Sequence, residues 1–442
     1  MATKILVQKF GGTSVATPES REMVYRKIEA AKVKGYGVVA VISAMGRKGA
    51  PYATDTLLDL VRLDCPGTAA REMDLIFVCG EIISGVVVTA NLQRRGHAAT
   101  YLTGGQAGIV TSADHGDARI LEIRTARVRG LLEKGHIVVV AGGQGATAEG
   151  EVTTLGRGGS DTTGTALGVA LEAEAIEIYT DVTGVMTADP RVVPEAALLR
   201  EITYGDCCQM AYQGAKVMHP RAVEIASQKP NIPLWVRSTF SDDPGTLICS
   251  PTRHLAGGAD RPGRGGAVGV AVLGGQTVLK VEEKPATDVA ADVSGAGGGH
   301  LGKSDILRRL EEAGVPAADI HPEPGALLLV TEDRAADAAE AVLKGAGLSA
   351  ARTTGASKVS LVGEDLTSSP RLTAEVLAVL AKAGLEVLAM VSRPDVIAVW
   401  VDGAKAGEAA RAMHALVEKP AATGVMGAAT PTKPKPGQQQ VG

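Results

Sequence analysis

The feature that most constrains this chain is a rhythm running through its first 250 residues. Short unbroken apolar runs are each closed by a turn and followed by a helix-length stretch. Ile5-Leu6-Val7 reads as a buried strand and Gly11-Gly12-Thr13-Ser14 as a turn. Thr17-Pro18 starts a helix that ends at Gly35, with proline in the first turn and glycine past the end. Val38 to Ile42, Ile137 to Ala141 and Ile176 to Thr180 are further apolar strands, and Ala98 to Leu102 is extended. A helix is expected near Glu81 to Arg95, stopping at Gly96. Apolar runs without polar alternation leave no face for solvent. The rhythm therefore predicts an α/β domain on a largely parallel sheet, covered on both faces.

The rhythm breaks after Ile248. The stretch HLAGGADRPGRGG from His254 to Gly266 has little that could be buried, and it reads as a linker. Beyond it the expected strands are Val268 to Leu273, Thr277 to Val281, Leu327 to Val330, Val359 to Val362, Val387 to Val391 and Val396 to Val401. Helices are expected at Ser304 to Ala313, Ala335 to Leu343, Arg371 to Ala383 and Gly407 to Val417, which gives two weakly similar small units. The expected division is a catalytic domain at 1–250, a linker at 251–266, one module at 267–355, a second at 356–419, and a Pro-, Gly- and Gln-rich tail at 420–442 expected to be disordered.

Composition excludes several classes of function. Lys+Arg 45 against Asp+Glu 49 gives a net charge of -4, which argues against a chain that coats nucleic acid or anionic lipid. Aromatics at 3% are too few for a base-stacking surface. The five cysteines form no CxxC pair, and no two of the eight histidines share a ligand spacing, so neither a disulfide framework nor a resident metal is expected. Met1 leads straight into a strand-like segment with no cleavable signal, and no apolar run reaches membrane-spanning length. A cytoplasmic chain is expected.

Four clusters carry chemistry. Lys9-Phe10-Gly11-Gly12-Thr13-Ser14 sets a lysine at a strand end, followed by glycines whose N–H groups can approach an anion. An ordinary strand–turn–helix is the alternative. Gly156-Arg157-Gly158-Gly159-Ser160-Asp161 offers a guanidinium fork for a carboxylate, although Ser and Asp also make good helix caps. The run from Tyr179 to Arg191 follows a strand end, where parallel sheets bind nucleotides, and Gly214-Ala215-Lys216 presents another lysine. On spacing alone, either of these last two could be a charged surface loop.

With SAMGRKGAPYATD at Ser43 to Asp55, CGE at Cys79 to Glu81 and GAKVMHPRAVEIA from Gly214, these motifs resemble, in order and spacing, the aspartate kinases of the amino-acid kinase family, and most closely those of Gram-positive bacteria. The resemblance covers roughly Lys4 to Ile248. It implies a three-layer αβα sandwich followed by two α+β ACT modules, the first inserted within the second so that the early strand Val268 to Leu273 completes the later sheet. It also implies transfer of the ATP γ-phosphoryl, with Mg²⁺, to the side-chain carboxylate of L-aspartate. That is the first step of lysine, threonine and methionine synthesis. On this resemblance Lys9 and Asp161 are catalytic, with Asp161 orienting Lys9 or the metal shell. Arg157 clamps the α-carboxylate, Glu81 takes the ammonium, and Ser43, Thr54 and Ser160 supply hydroxyls. ATP is held by Lys9, Phe10, Gly11, Gly12, Thr180, Asp181, Val185, Met186, Thr187, Ala188, Asp189, Pro190, Arg191 and Lys216. A homodimer or larger assembly is implied, with feedback by lysine, threonine or meso-diaminopimelate.

A glycine-rich stretch, Gly297-Gly298-Gly299-His300-Leu301-Gly302-Lys303-Ser304, satisfies the P-loop pattern, but no good buried strand precedes it. It is read as an effector loop of the first module. Two other functions compete: a kinase for N-acetylglutamate, and a non-catalytic sensor. Arg157 with Glu81 argues for a free amino acid, and retention of Lys9, Arg157, Asp161 and Lys216 argues against a sensor.

Overall fold

The computed structural model describes residues 4–250, 266–282, 303–315, 317–323, 326–367 and 370–417. The expected linker, apart from Gly266, lies outside the described residues, as do the glycine-rich stretch up to Gly302 and the tail.

The first 250 residues form strands β1 (Ile5–Phe10), β2 (Gly37–Ile42), β3 (Ala99–Leu102), β4 (Ile109–Thr111), β5 (Ile120–Ile123), β6 (Ile137–Ala141), β7 (Gln144–Ala146), β8 (Val152–Thr154), β9 (Ala175–Thr180), β10 (Glu201–Thr203), β11 (Leu234–Ser238) and β12 (Thr246–Cys249). The helices are α1 (Pro18–Val33), α2 (Thr54–Asp64), α3 (Ala70–Arg94), α4 (Ala126–Glu133), α5 (Gly159–Ala170), α6 (Tyr204–Tyr212) and α7 (Pro220–Ser227). Eight strands make one sheet in the order β10-β12-β11-β9-β1-β2-β6-β3, parallel throughout except between β11 and β12. Strand residues alternate between two cores. Leu6, Phe10, Val38, Ala40, Ile137 and Val139 pack with Val24, Ile28, Val88 and Leu92 of α1 and α3. Val7, Val39, Val41, Val138 and Val140 pack with Val128, Leu132, Leu167 and Leu171 of α4 and α5 and their ends. Helices on both faces make three layers, as the sequence predicts. The remaining strands form a small mixed sheet, β5-β4-β7-β8. At three or four residues each, these strands carry too little pattern to be read from sequence.

The helix expected from Glu81 begins eleven residues earlier, at Ala70. At 25 residues and a mean hydropathy of 2.0 over its most apolar window, α3 is long and apolar enough by length and composition to cross a membrane. This corrects the expectation that no apolar run reaches that length. Its packing accounts for the apolarity: Val88 and Leu92 are fully buried in the sheet core, and Asp74, Glu81, Ser84 and Thr89 are buried elsewhere along the helix.

The later residues form strands β13 (Ala267–Glu282), β14 (Ala317–Glu323), β15 (Ala326–Glu332), β16 (Ala350–Gly363), β17 (Ala389–Arg393) and β18 (Val396–Asp402), with helices α8 (Lys303–Glu312), α9 (Ala336–Gly345), α10 (Pro370–Lys382) and α11 (Ala406–His414). They share one antiparallel sheet, β14-β15-β13-β16-β18-β17. The two strands expected at 268–273 and 277–281 are one strand, β13, with its register broken between Leu273 and Gln276. Its first half pairs with the end of β16, which also pairs with β18. Its second half pairs with β15. The first half of β13 thus lies in the same sheet as β16 and β18.

Both sheets meet at α6. Cys207 and Met210 belong to a core that also holds Val278, Val330, Ala398 and the fully buried Trp400. Trp400→Ala is expected to destabilise the protein by about 3–5 kcal/mol, the usual cost of emptying so large a buried volume. Urea unfolding checks this, and an unchanged midpoint would exclude a shared core here.

Candidate active site

The charged residues collect where β1, β2 and β9 end. Lys9, one residue before the end of β1, points to the α5 side of the sheet. There Gly164 leaves room for its stem, since a Cβ at that position would lie 3.2 Å from Lys9 Cβ. Asp161, in the first turn of α5, meets Lys9 Nζ at 2.6 Å, and both side chains are largely buried. The helix dipole favours a carboxylate there. The turn after β1 folds over this pair. Gly11 N–H donates to Tyr179 O at 3.2 Å, and a Cβ on Gly11 would stand 3.6 Å from Lys9 Nζ. Gly12 has no room for a side chain at all, because a Cβ would lie 2.7 Å from Ala44 O and 2.8 Å from Gly46 O. Phe10 stacks on Tyr179 with ring centroids 4.9 Å apart, beneath the same turn.

The turn after β2 is clamped by α3. Ser84 Oγ donates to Ser43 O at 2.6 Å, and Ala44 N–H donates to Glu81 Oε1 at 3.3 Å. Glu81 is 2% exposed, and its Oε2 has no partner among the described residues. Burial pushes its carboxyl up to about 8, against the weaker pull of backbone N–H donors. Thr54 opens α2 close by: Tyr52 O would lie 3.1 Å from a Cβ on Gly80 of α3.

Arg157 is exposed on the turn before α5, with no ion pair among the described residues. The turn itself is braced. Gly158 has φ +67°, and a side chain there would collide with the His219 ring. Arg221 donates to Leu155 O at 3.0 Å and pairs with Asp117 at 3.0 Å. Ser160 lies against Gly142 at the end of β6.

On the other side of Lys9, Thr180 closes β9 and its carbonyl accepts from Thr239 N–H at 2.9 Å. Asp181 is held by Arg47 at 2.5 Å. Asp189 pairs with Arg191 at 2.6 Å. Hydrogen bonds from Arg191 hold its carboxyl below the usual range, with Lys216 adding to the effect. The structure thus gathers Lys9, Gly11, Gly12 and Asp161 into one cluster, Ser43, Thr54 and Glu81 into a second, and Asp189, Arg191 and Lys216 into a third. It does not bring Val185, Thr187 or Ala188 to that surface. All three are buried, Val185 and Ala188 in apolar cores. Met186 is half-buried and bridges to Leu198, and Pro190 is exposed.

Sequence reasoning missed Arg47 and Asp74. Asp74 is 2% exposed and accepts from His115 Nδ1 at 2.8 Å, from Gly116 N–H and from Thr154, so it ties the small sheet to α3 beside the Arg157 turn. Its signal was an acid at the point where the mixed-polarity first turns of α3 give way to an apolar run. Among the described residues no cluster of three His, Cys, Asp or Glu side chains could hold a metal.

Known proteins resemble this chain over most of its length. The model of the amino acid kinase family matches residues 4–238. The chain is 40% identical to aspartokinase 1 of Bacillus subtilis over 415 residues, which cover 94% of this chain and 99% of that one. Its fold is similar to that of E. coli aspartokinase III in complex with aspartate and ADP, an R state, at 22% identity and a TM-score of 0.73, covering 93% and 99% of the two chains. The same E. coli enzyme with lysine and aspartate, a T state, gives a TM-score of 0.69 at 22% identity, covering 94% and 100%. The chain belongs to the amino acid kinase family, and within it to the aspartokinases. Its activity is that of an aspartate kinase, an ATP-dependent phosphotransferase, and the six-stranded sheet with its helices is a pair of ACT modules.

Glu81 gives a pH signature. Between about pH 5 and 8 the folded protein keeps a proton on Glu81 that the unfolded chain releases. Without ligands, Glu81 should therefore lower stability as pH rises through this window, by about 1.4 kcal/mol per pH unit at most. Glu81→Gln is expected to remove that slope in urea unfolding measured at pH 5.5, 6.5 and 7.5. An identical slope in the variant would mean that Glu81 is ionised in the free enzyme.

Proposed function

We propose that the three clusters divide the reaction among them. The substrate's side-chain carboxylate is already ionised at neutral pH, so no protein base is needed. One of its oxygens attacks the γ-phosphorus, the bond from that phosphorus to the bridging oxygen of ADP breaks, and 4-phospho-L-aspartate and ADP leave. What the protein supplies is charge neutralisation and in-line positioning. Lys9, oriented by Asp161, meets the transferring phosphoryl, and the Phe10-Gly11-Gly12 turn lines the phosphates. Arg157 binds the α-carboxylate and Glu81 the ammonium, with hydroxyls from Ser43, Thr54 and Ser160. Thr180, Asp181, Asp189, Pro190, Arg191 and Lys216 surround the nucleotide, and the contribution of Val185 to Ala188 is to hold that loop. Mg²⁺ would arrive with ATP, held mainly by the substrate phosphates, and would help neutralise their charge, while Asp161 pairs with Lys9.

The observation that carries this reading is the Lys9–Asp161 pair, set at 2.6 Å beside the Gly11 turn at the end of the central strand. The division into a catalytic domain at 1–250 and modules at 267–355 and 356–419 belongs to the same proposal, as do a cytoplasmic setting and feedback by lysine, threonine or meso-diaminopimelate. A hydroxamate assay with aspartate, with N-acetylglutamate and with neither tests the substrate. Turnover with aspartate alone is expected, and comparable turnover of the acylated acid would overturn the role given to Glu81.

Arg157→Ala should raise the KM for aspartate roughly thirtyfold or more, because a substrate charge loses its partner at a cost of about 2–4 kcal/mol, and should leave the KM for ATP within about twofold. Equal weakening of both would refute the clamp. The ACT sheet ends in edge strands β14 and β17, which can pair with another chain. Sedimentation at micromolar concentration is expected to give a dimer or larger species, and a monomeric mass would exclude it.

A further inference from the structure

The loop after β9 has two faces. Its outer face carries Asp189 and Arg191 beside the Lys216 charge. Its inner face is built into the second ACT module. Leu199 N–H donates to Val185 O at 2.9 Å, Met186 bridges to Leu198, and Thr187 N–H donates to Ala197 O at 2.9 Å. Residues 185–199 therefore form an antiparallel clasp. The tip of the clasp inserts Ala188 and Val193 into the same core as Leu366, Val376, Ala409 and Met413. Three polar contacts fix it there. Val270 N–H of β13 donates to Thr187 O at 2.7 Å, and Arg411 Nη1 of α11 donates to Val192 O at 3.1 Å. His414 Nε2, at the end of α11, shares a 2.8 Å hydrogen bond with Thr187 Oγ1. Thr187 is 1% exposed, and its Oγ1 also accepts from Ala197 N–H at 2.9 Å, so every polar atom of this residue is engaged. β13 comes this close only because residue 269 is glycine: a Cβ there would lie 2.8 Å from Thr187 O.

We propose that His414 is a positioning residue for nucleotide binding. Through Thr187, the last helix of the second module holds the 185–199 clasp so that its outer face meets ATP, while the aspartate pocket on the far side of Lys9 does not depend on it. Burial pushes the His414 imidazole below its ordinary value, against the pull of Glu195, which suits a neutral hydrogen-bonding partner over a cation. The proposal rests on the reading that Asp189, Arg191 and Lys216 face the nucleotide.

The test uses the full-length chain and steady-state kinetics with each substrate varied in turn. His414→Ala is expected to raise the KM for ATP roughly tenfold, the loss of a buried hydrogen bond together with the packing of the ring, and to leave the KM for aspartate within about twofold. His414→Gln, whose amide can still reach Thr187, should recover most of the ATP affinity. Thr187→Val, which removes the hydroxyl at nearly constant volume, should reproduce the split should His414→Ala not fold. ATP-induced elevation of the melting temperature gives an independent reading of nucleotide affinity. If His414→Ala shifts both KM values together, or only lowers the melting temperature, the positioning role is wrong. Arg191→Ala separates this inference from the reading beneath it. If Arg191→Ala raises the KM for ATP and His414→Ala does not, the loop contacts ATP and the inference falls. If Arg191→Ala changes nothing, the nucleotide reading fails and takes the inference with it.

Discussion

The Lys9–Asp161 pair is the constraint around which the rest of the catalytic domain is arranged. Two charges that lie largely out of water cost more in lost hydration than an exposed pair does, and such a pair persists only where geometry and neighbours offset that cost. Here the offset comes from the architecture. The parallel strands β1, β2 and β9 end on one side of the sheet, and α5, which leads into β9 beside the central strand, presents its N-terminus there, so a carboxylate in its first turn sits in a favourable field. Because the strands on either side of β1 are buried on both faces, the lysine has one direction in which to extend, over Gly164 and under the Gly11 turn. On the proposed mechanism this fixes a positive charge at the place where the transferring phosphoryl develops negative charge, with no reorganisation needed at the moment of transfer.

Glu81 shows the opposite solution. It has only backbone N–H donors on one side and an unpartnered oxygen, so in the free protein burial favours its protonated form. A cation bound beside it would reverse that preference. On the proposed mechanism the site therefore costs stability when empty and recovers that cost when occupied, as a group placed for a ligand and not for the fold would.

Much of this was legible in the sequence for a simple reason. The sheet is buried on both faces, so its strands are unbroken apolar runs, and glycine turns mark their functional ends. β1, β2, β6 and β9 and the residues at their ends could be read directly. Elements lacking a period of their own could not. The strands β4, β5, β7 and β8 are three or four residues long, and they are held by Asp74, one side chain whose partners lie about 40 to 80 positions away. The start of α3 was missed because its first turns carry mixed polarity and no capping side chain. The nucleotide loop was read as a set of ligand contacts because its motif is contiguous. That its middle residues turn inward depends on β13 and α11, far along the chain, and no local pattern encodes it.

The junction of the two sheets bears on how a regulatory module can reach the chemistry. β13 runs 16 residues, about 50 Å at a strand's usual rise, and belongs to both modules at once. Its second half is paired with β15 in the first module, and its first half lies against Thr187 in the catalytic domain. Between them sits the register break at Gly274 and Gly275, where Gly275 takes φ +73°. The second half is hydrogen-bonded along both edges, to β15 and β16, and the first half along one edge, to β16, so the break is where the strand bends most readily. A change in the first module would then have two outcomes: it is absorbed at a register break, or it moves Gly269 and Val270. Gly269 lies too close to Thr187 O for the second outcome to leave the clasp where it was. On the nucleotide reading of the clasp, such coupling would need no chain of small adjustments through the catalytic core, because β13 and that loop are already in contact.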